Sequence, residues 1–220
     1  MTKLLYFVLA ATLFMAACED PAANKPKATT SESTTNANAP KTANIATAPA
    51  GAKEELAITA ENSKVGFTGS KVTGKHDGGF NKFTGSIDLV GNRAEGSSVS
   101  VDIEMASVFS DADGLTKHLQ TGDFFEVEKF PKATFKSTKI VADPAKGVGN
   151  FTVTGDLTLR GVTKAVTFPA TILVTDADVT VNAEFSINRK DFGIVYTGKA
   201  DDLIRDDVVL KLDLKTPRKK

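Results

Sequence analysis

Two histidines, His76 and His118, and one cysteine, Cys18, are the residues of this 220-residue chain best suited to covalent or metal chemistry. Two histidines without an HExxH, a GxSxG or a second cysteine give neither a zinc set nor a recognisable triad. His118 stands out because it shares a face with Leu115 and Leu119, at i, i+3 and i+4, just before Phe124-Phe125. There it could bond the polar head of a ligand, or serve an enzyme together with Asp123 or Arg189. Asp123, directly after Gly122, also suits acceptance of backbone hydrogen bonds. Arg160 in LTLRGVTK and Arg189 in SINRKDFG stand beside turns, where each would face an anionic head group or pair with a carboxylate such as Asp156 or Asp191. Gly69 to His76 imitates a phosphate loop but lacks the Ser/Thr after the lysine and a following helix. Asp111-Ala112-Asp113-Gly114 lacks the later ligands of a calcium loop. No motif calls for a metal or cofactor.

Placing these residues requires the elements around them. Leu115 to Thr121 reads as a short helix that Gly122 would end in a left-handed conformation. Phe124 and Phe125 then need an apolar site, since burying each is worth roughly 1.5–3 kcal/mol. Pro131 marks the start of a strand that runs from Ala133 to Ile140. Elsewhere the chain alternates at period two: Val65 and Phe67; Phe83, Ile87 and Leu89; Val99, Val101, Ile103 and Met105; Phe151, Val153, Leu157 and Leu159; Val179, Val181, Phe185 and Ile187; Val208 to Leu214. Turn residues such as Gly91-Asn92, Asp143-Pro144 and Gly161 separate the runs. About eight antiparallel strands with one short helix near 115–121 suit an all-β barrel or a sandwich. The inward phenylalanines, without tryptophan or a cysteine pair, favour the barrel. Each could fill a core or line a pore.

The beginning of the chain has a different character. Lys3, the apolar run Leu4 to Phe14 and Met15-Ala16-Ala17-Cys18 read as a signal peptide over residues 1–17, ending at a cysteine to be lipidated. Glu19 after it favours the outer over the inner membrane. Residues 18–54 are rich in Ala, Thr, Asn, Pro, Ser and Lys, have no aromatic residue, and read as a disordered tether with a span of roughly 30–35 Å. The folded domain is then 55–220. With 27 basic and 27 acidic residues, the chain has no nucleic-acid signature.

HLQTGDFFEVEKFPKATFKST (118–138) and the later VTGDLTLRGVTKAVTF (153–168) closely resemble the YceI-like family of exported bacterial lipid-binding proteins, over roughly Glu55 to Leu214. The resemblance implies a lipocalin-like antiparallel β-barrel whose elongated apolar pore holds a polyisoprenoid or other long-chain amphiphile, without catalysis. Its wall would comprise Phe67, Phe83, Ile87, Val101, Ile103, Phe124, Phe125, Phe135, Val153, Leu157, Phe168, Phe185, Phe192 and Leu210. His118, Arg160 and Arg189 are the head-group candidates, and helix 115–121 with Phe124 and Phe125 is the natural gate. A filled barrel that binds a protein partner and a His118-dependent enzyme are the alternatives. An incompletely closed barrel would also invite a homodimer through its exposed edges.

Overall fold

The computed structural model describes residues 20–33 and 51–218. Fourteen strands follow in chain order: β1 (Thr29–Glu32), β2 (Lys53–Thr59), β3 (Lys64–Lys71), β4 (Gly74–Phe80), β5 (Phe83–Val90), β6 (Arg93–Glu104), β7 (Val108–Ser110), β8 (Lys132–Ala142), β9 (Asn150–Leu159), β10 (Val162–Val174), β11 (Asp178–Asn188), β12 (Gly198–Lys199), β13 (Asp202–Leu203) and β14 (Asp207–Pro217). One helix, α1 (Asp113–Leu119), lies between β7 and β8. Twelve strands form a single antiparallel sheet in the order β2-β5-β6-β8-β9-β10-β11-β14-β3-β4-β7, with β1 added on β10. The sheet curls around an apolar interior as a lipocalin-like barrel, its margins β2 and β7 unpaired with each other. The short β12–β13 hairpin stands apart.

Period-two alternation explains the long strands. In β6, Val99 and Val101 turn inward, and in β11 Val179, Val181, Ala183, Phe185 and Ile187 do the same. Two-residue turns at Gly91-Asn92 and Arg160-Gly161 have positive φ at both positions, which matches strand twist and fixes the register of β5–β6 and β9–β10. The strand count exceeds the expected eight because β4, GKHDGGF, has three glycines and no apolar alternation to announce it. Gly69 to His76 is the β3–β4 hairpin.

Two expectations are corrected. Gly122 does not end α1 with a left-handed residue: Gln120 caps the helix in the right-handed region, and the positive φ falls on Glu126. Beyond the helix the chain coils back instead, with Phe125 N–H donating to Leu119 O and Val127 N–H to Gln120 O. Nor is 18–54 a structureless tether throughout. Residues 1–19, which hold the expected signal peptide and Cys18, and residues 34–50 lie outside the described residues, but Asp20–Ser33 is packed on the barrel and β2 already begins at Lys53. Low apolar content did not leave 20–33 unstructured, because an existing sheet edge supplies its hydrogen bonds and Ala28 needs only a small hole in the core.

Candidate functional site

Inside the barrel lies an elongated, almost wholly apolar cavity of about 520 Å³, within the usual range for small-molecule sites. Along β14 its wall runs from Val208 through Leu210 and Leu212 to Leu214, a stretch of strand roughly 20 Å long at about 3.3 Å per residue. Ile140, Val153, Ile172, Val181 and Leu214 line the deep end. The middle is aromatic: Phe168 stacks on Phe185 with ring centroids 4.0 Å apart, and Phe135 leans on Phe168 at 5.7 Å.

These rings line a pore rather than fill a core because glycines lie beside them. Gly78 is paired opposite Phe67, and a Cβ at Gly78 would come within 2.4 Å of the Phe67 ring. A Cβ at Gly155 would come equally close, 2.4 Å, to Phe135. Both rings therefore lie flat against neighbouring strands and leave the lumen open.

The mouth is roofed by α1, the turn carrying Phe124 and Phe125, and the 193–206 loop. Phe67, Phe80 and Phe125 form a chain of rings, each centroid 6.0 Å from the next. His118, Phe124 and Tyr196 form an edge-to-face triangle with centroid distances of 5.0, 5.2 and 5.5 Å. His118 Nε2 lies 2.7 Å from Asp123 Oδ2, so Asp123 orients the ring rather than capping backbone. The polar residues of the wall, Ser70, Lys71, His76, His118, Arg189, Tyr196, Lys199 and Asp202, all belong to this end. Ser70 Oγ is buried without a hydrogen-bond partner.

Of the expected wall residues, Phe67, Val101, Ile103, Phe124, Phe125, Phe135, Val153, Leu157, Phe168, Phe185 and Leu210 lie on the cavity. Phe83, Ile87 and Phe192 do not. Ile87 faces a smaller void at the closed end with Leu89 and Ala94, and Phe83 and Phe192 are packed in the core, Phe192 with no exposure at all. Tyr196, Ile194, Ile204 and Val208 were missed, because the stretch that holds the first three has no periodicity. The filled barrel is corrected by the cavity itself.

The two arginines turn out to be staples. Arg189, 4% exposed, donates from Nε to Arg205 O, from Nη1 to Ile194 O and from Nη2 to Ile204 O and Asp206 Oδ1. Burial pulls its pKa below the usual guanidinium value, partly opposed by Asp206. Arg160 donates to Gly193 O, Gly122 O and Glu126 Oε2, joining the turn after α1 to the 193–206 loop. Neither pairs as expected with Asp191 or Asp156 in these bonds, and the terminal nitrogens of both are engaged, while Arg160 Nε is buried without a partner. Acidic clasps hold the rest of the rim. Lys71 and Thr73 bind Asp202 and keep its carboxyl below the ordinary range. Asp111, in the segment weighed as a calcium loop, accepts from the Asp77 amide and pairs with His76, which lower its pKa in that order. No group of three or more metal-ligating side chains occurs among the described residues.

A curled antiparallel sheet around a deep apolar cavity, with its polar groups gathered at one end, defines a lipocalin-like binding barrel. Residues 56–216 match the model of the YceI-like domain, and the chain belongs to that family. A UPF0312 protein of Pseudomonas putida (strain W619) is 37% identical over 137 residues, which cover 60% of this chain and 70% of the relative. The crystal structure of BcnA from Burkholderia cenocepacia superposes with a TM-score of 0.61 at 25% identity, covering 72% of this chain and 98% of that one. A polyisoprenoid binding domain from Saccharophagus degradans, implicated in plant cell wall breakdown, shares the fold at 18% identity and a TM-score of 0.60, covering 76% of this chain and all of that domain.

Proposed function

We propose that this protein binds and carries a long-chain amphipathic lipid of polyisoprenoid type, tail in the cavity and head at the rim, without covalent chemistry. The observation that carries the reading is the shape of the cavity: lined along roughly 20 Å of β14, apolar below the mouth and open at one polar end. A compact ligand would leave most of that wall unused. The solved polyisoprenoid binding domain with the same fold supports the chemical class. Burying about 400 Å² of tail at roughly 25 cal/mol/Å² gives on the order of 10 kcal/mol, before the costs of ordering and desolvation. At the head, His118 keeps the role expected of it, and Lys199 and Ser70 stand in for the two arginines.

The cellular setting belongs to the same proposal: export by the leader at 1–17, acylation of Cys18 and residence at the envelope, with the outer membrane favoured by Glu19. The test is direct. The purified chain, stripped of lipid, is offered a C40–C55 polyprenol and a C16 fatty acid in turn, and retention is followed through gel filtration. Retained polyprenol supports the reading; retained fatty acid alone would reassign the ligand class, and retention of neither would refute carriage.

A further inference from the structure

Residues 20–33 lie outside the 56–216 stretch that the family model matches, yet they complete the barrel wall. β10 and β11 pair only where Thr171–Val174 faces Val179–Asn182. Towards the mouth the two strands part, and the N-terminal strap fills the opening. On one side Ala28 N–H donates to Ser186 O and Ser186 N–H to Pro26 O; on the other, β1 runs antiparallel along Lys164–Thr167 of β10. Ala28 drops into the core, and Lys27 bonds both carboxylate oxygens of Asp207 at 2.8–2.9 Å. The strap is U-shaped, so both its ends reach the mouth. Asp20 stands 3.4 Å from Arg205, whose amide donates to Ser70 O on the rim, and Glu32 meets Lys164 beside the Arg160-Gly161 turn.

Only Glu19 separates Cys18 from Asp20, two steps along the chain with a reach of at most about 7 Å. On the reading that Cys18 is acylated, the anchor is fixed to the rim instead of hanging from a long tether. The same rim presents Val72, Val195 and Leu203, 55%, 61% and 49% exposed, with Lys75 and Lys199 beside them. Exposed aliphatics also occur at the closed end, where Val148 and Leu173 lie, so exposure alone does not choose an end. The place of the anchor does. We propose that the mouth rim is a membrane-docking surface: the strap holds the acylated end there, the barrel rests mouth-down on the bilayer, and a lipid tail passes between leaflet and cavity without crossing water.

The chain contains no tryptophan, which makes a depth measurement clean. The full chain, produced with its leader in a bacterium, is reconstituted into phosphatidylethanolamine/phosphatidylglycerol vesicles with or without brominated acyl chains. Val195→Trp reports the rim and Val148→Trp the far end. The expected result is several-fold stronger quenching at 195 than at 148, lost in an Ala28→Arg background that expels the strap while the chain still floats with the vesicles. Equal weak quenching at both positions, stronger quenching at 148, or quenching at 195 that survives Ala28→Arg would each overturn the proposal. An N-terminal peptide without acyl mass would overturn it too, while lipid extracted from the same preparation would decide carriage separately.

Discussion

Arg189 was legible in the sequence only as a basic residue beside a turn. Where its donors go depends on carbonyls at 194, 204 and 205, which a loop without periodicity brings round it. Replacing it with methionine strands those carbonyls and Asp206, and we expect a loss of about 3–5 kcal/mol in urea denaturation, with lysine recovering part. A loss within about 0.5 kcal/mol would contradict the staple role. The acidic clasps allow a second expectation. Asp77, Asp111 and Asp202 all have folded-state pKa values below the ordinary carboxylate, Asp77 chiefly through the Lys211 hydrogen bond. A depressed pKa contributes stability that is full above the unfolded value, about 3.9, and is lost as pH falls through the folded one. Melting temperature should therefore drop as pH falls below about 4. Asp202→Asn should melt lower at neutral pH and show a shallower acid decline; an unchanged acid limb would remove Asp202 from the account.

At the scale of elements, alternation announced most of the wall but not its openness. In the sequence Phe67 and Phe135 could each fill a core or line a pore, with core the default for any one ring, and the choice was made by Gly78 and Gly155 on neighbouring strands, a pairing that needs the register to be known. Gly155→Ala sets a methyl 2.6 Å from Lys136 O as well as against the Phe135 ring, so the ring must swing into the lumen. We expect a destabilisation of about 1–3 kcal/mol and weaker polyprenol retention, checked by melting and by a retention assay. That Phe124 and Phe125 need an apolar site was legible, because two adjacent phenylalanines must be received somewhere. Their rings line the mouth beside His118, Tyr196 and Phe80, which suits the gate we propose. Changing both to alanine should speed lipid release while the far-ultraviolet spectrum keeps its β signature; a release rate equal to that of the parent would exclude gating.

For the whole molecule, family resemblance and alternation together gave the barrel, while the strap was hidden by its composition. Ala, Thr, Lys and Pro carry no period, and their order comes from what the sheet lacks between β10 and β11. The strands β4 and β7 were invisible for a related reason: β4 has three glycines and no apolar alternation, β7 is only three residues long, and pairing with their neighbours defines both. The carriage we propose belongs to this whole assembly: wall, roof and strap together give the cavity its depth, its apolar lining and its polar mouth. Native mass spectrometry of the full chain, purified from a bacterial host into a volatile detergent-free or amphipol-exchanged buffer, tests that claim most directly. We expect an added mass that dissociates on activation and, after solvent extraction, yields a long-chain isoprenoid lipid. A bare mass beyond the chain and its modifications, still bare after incubation with polyprenol, would contradict the account.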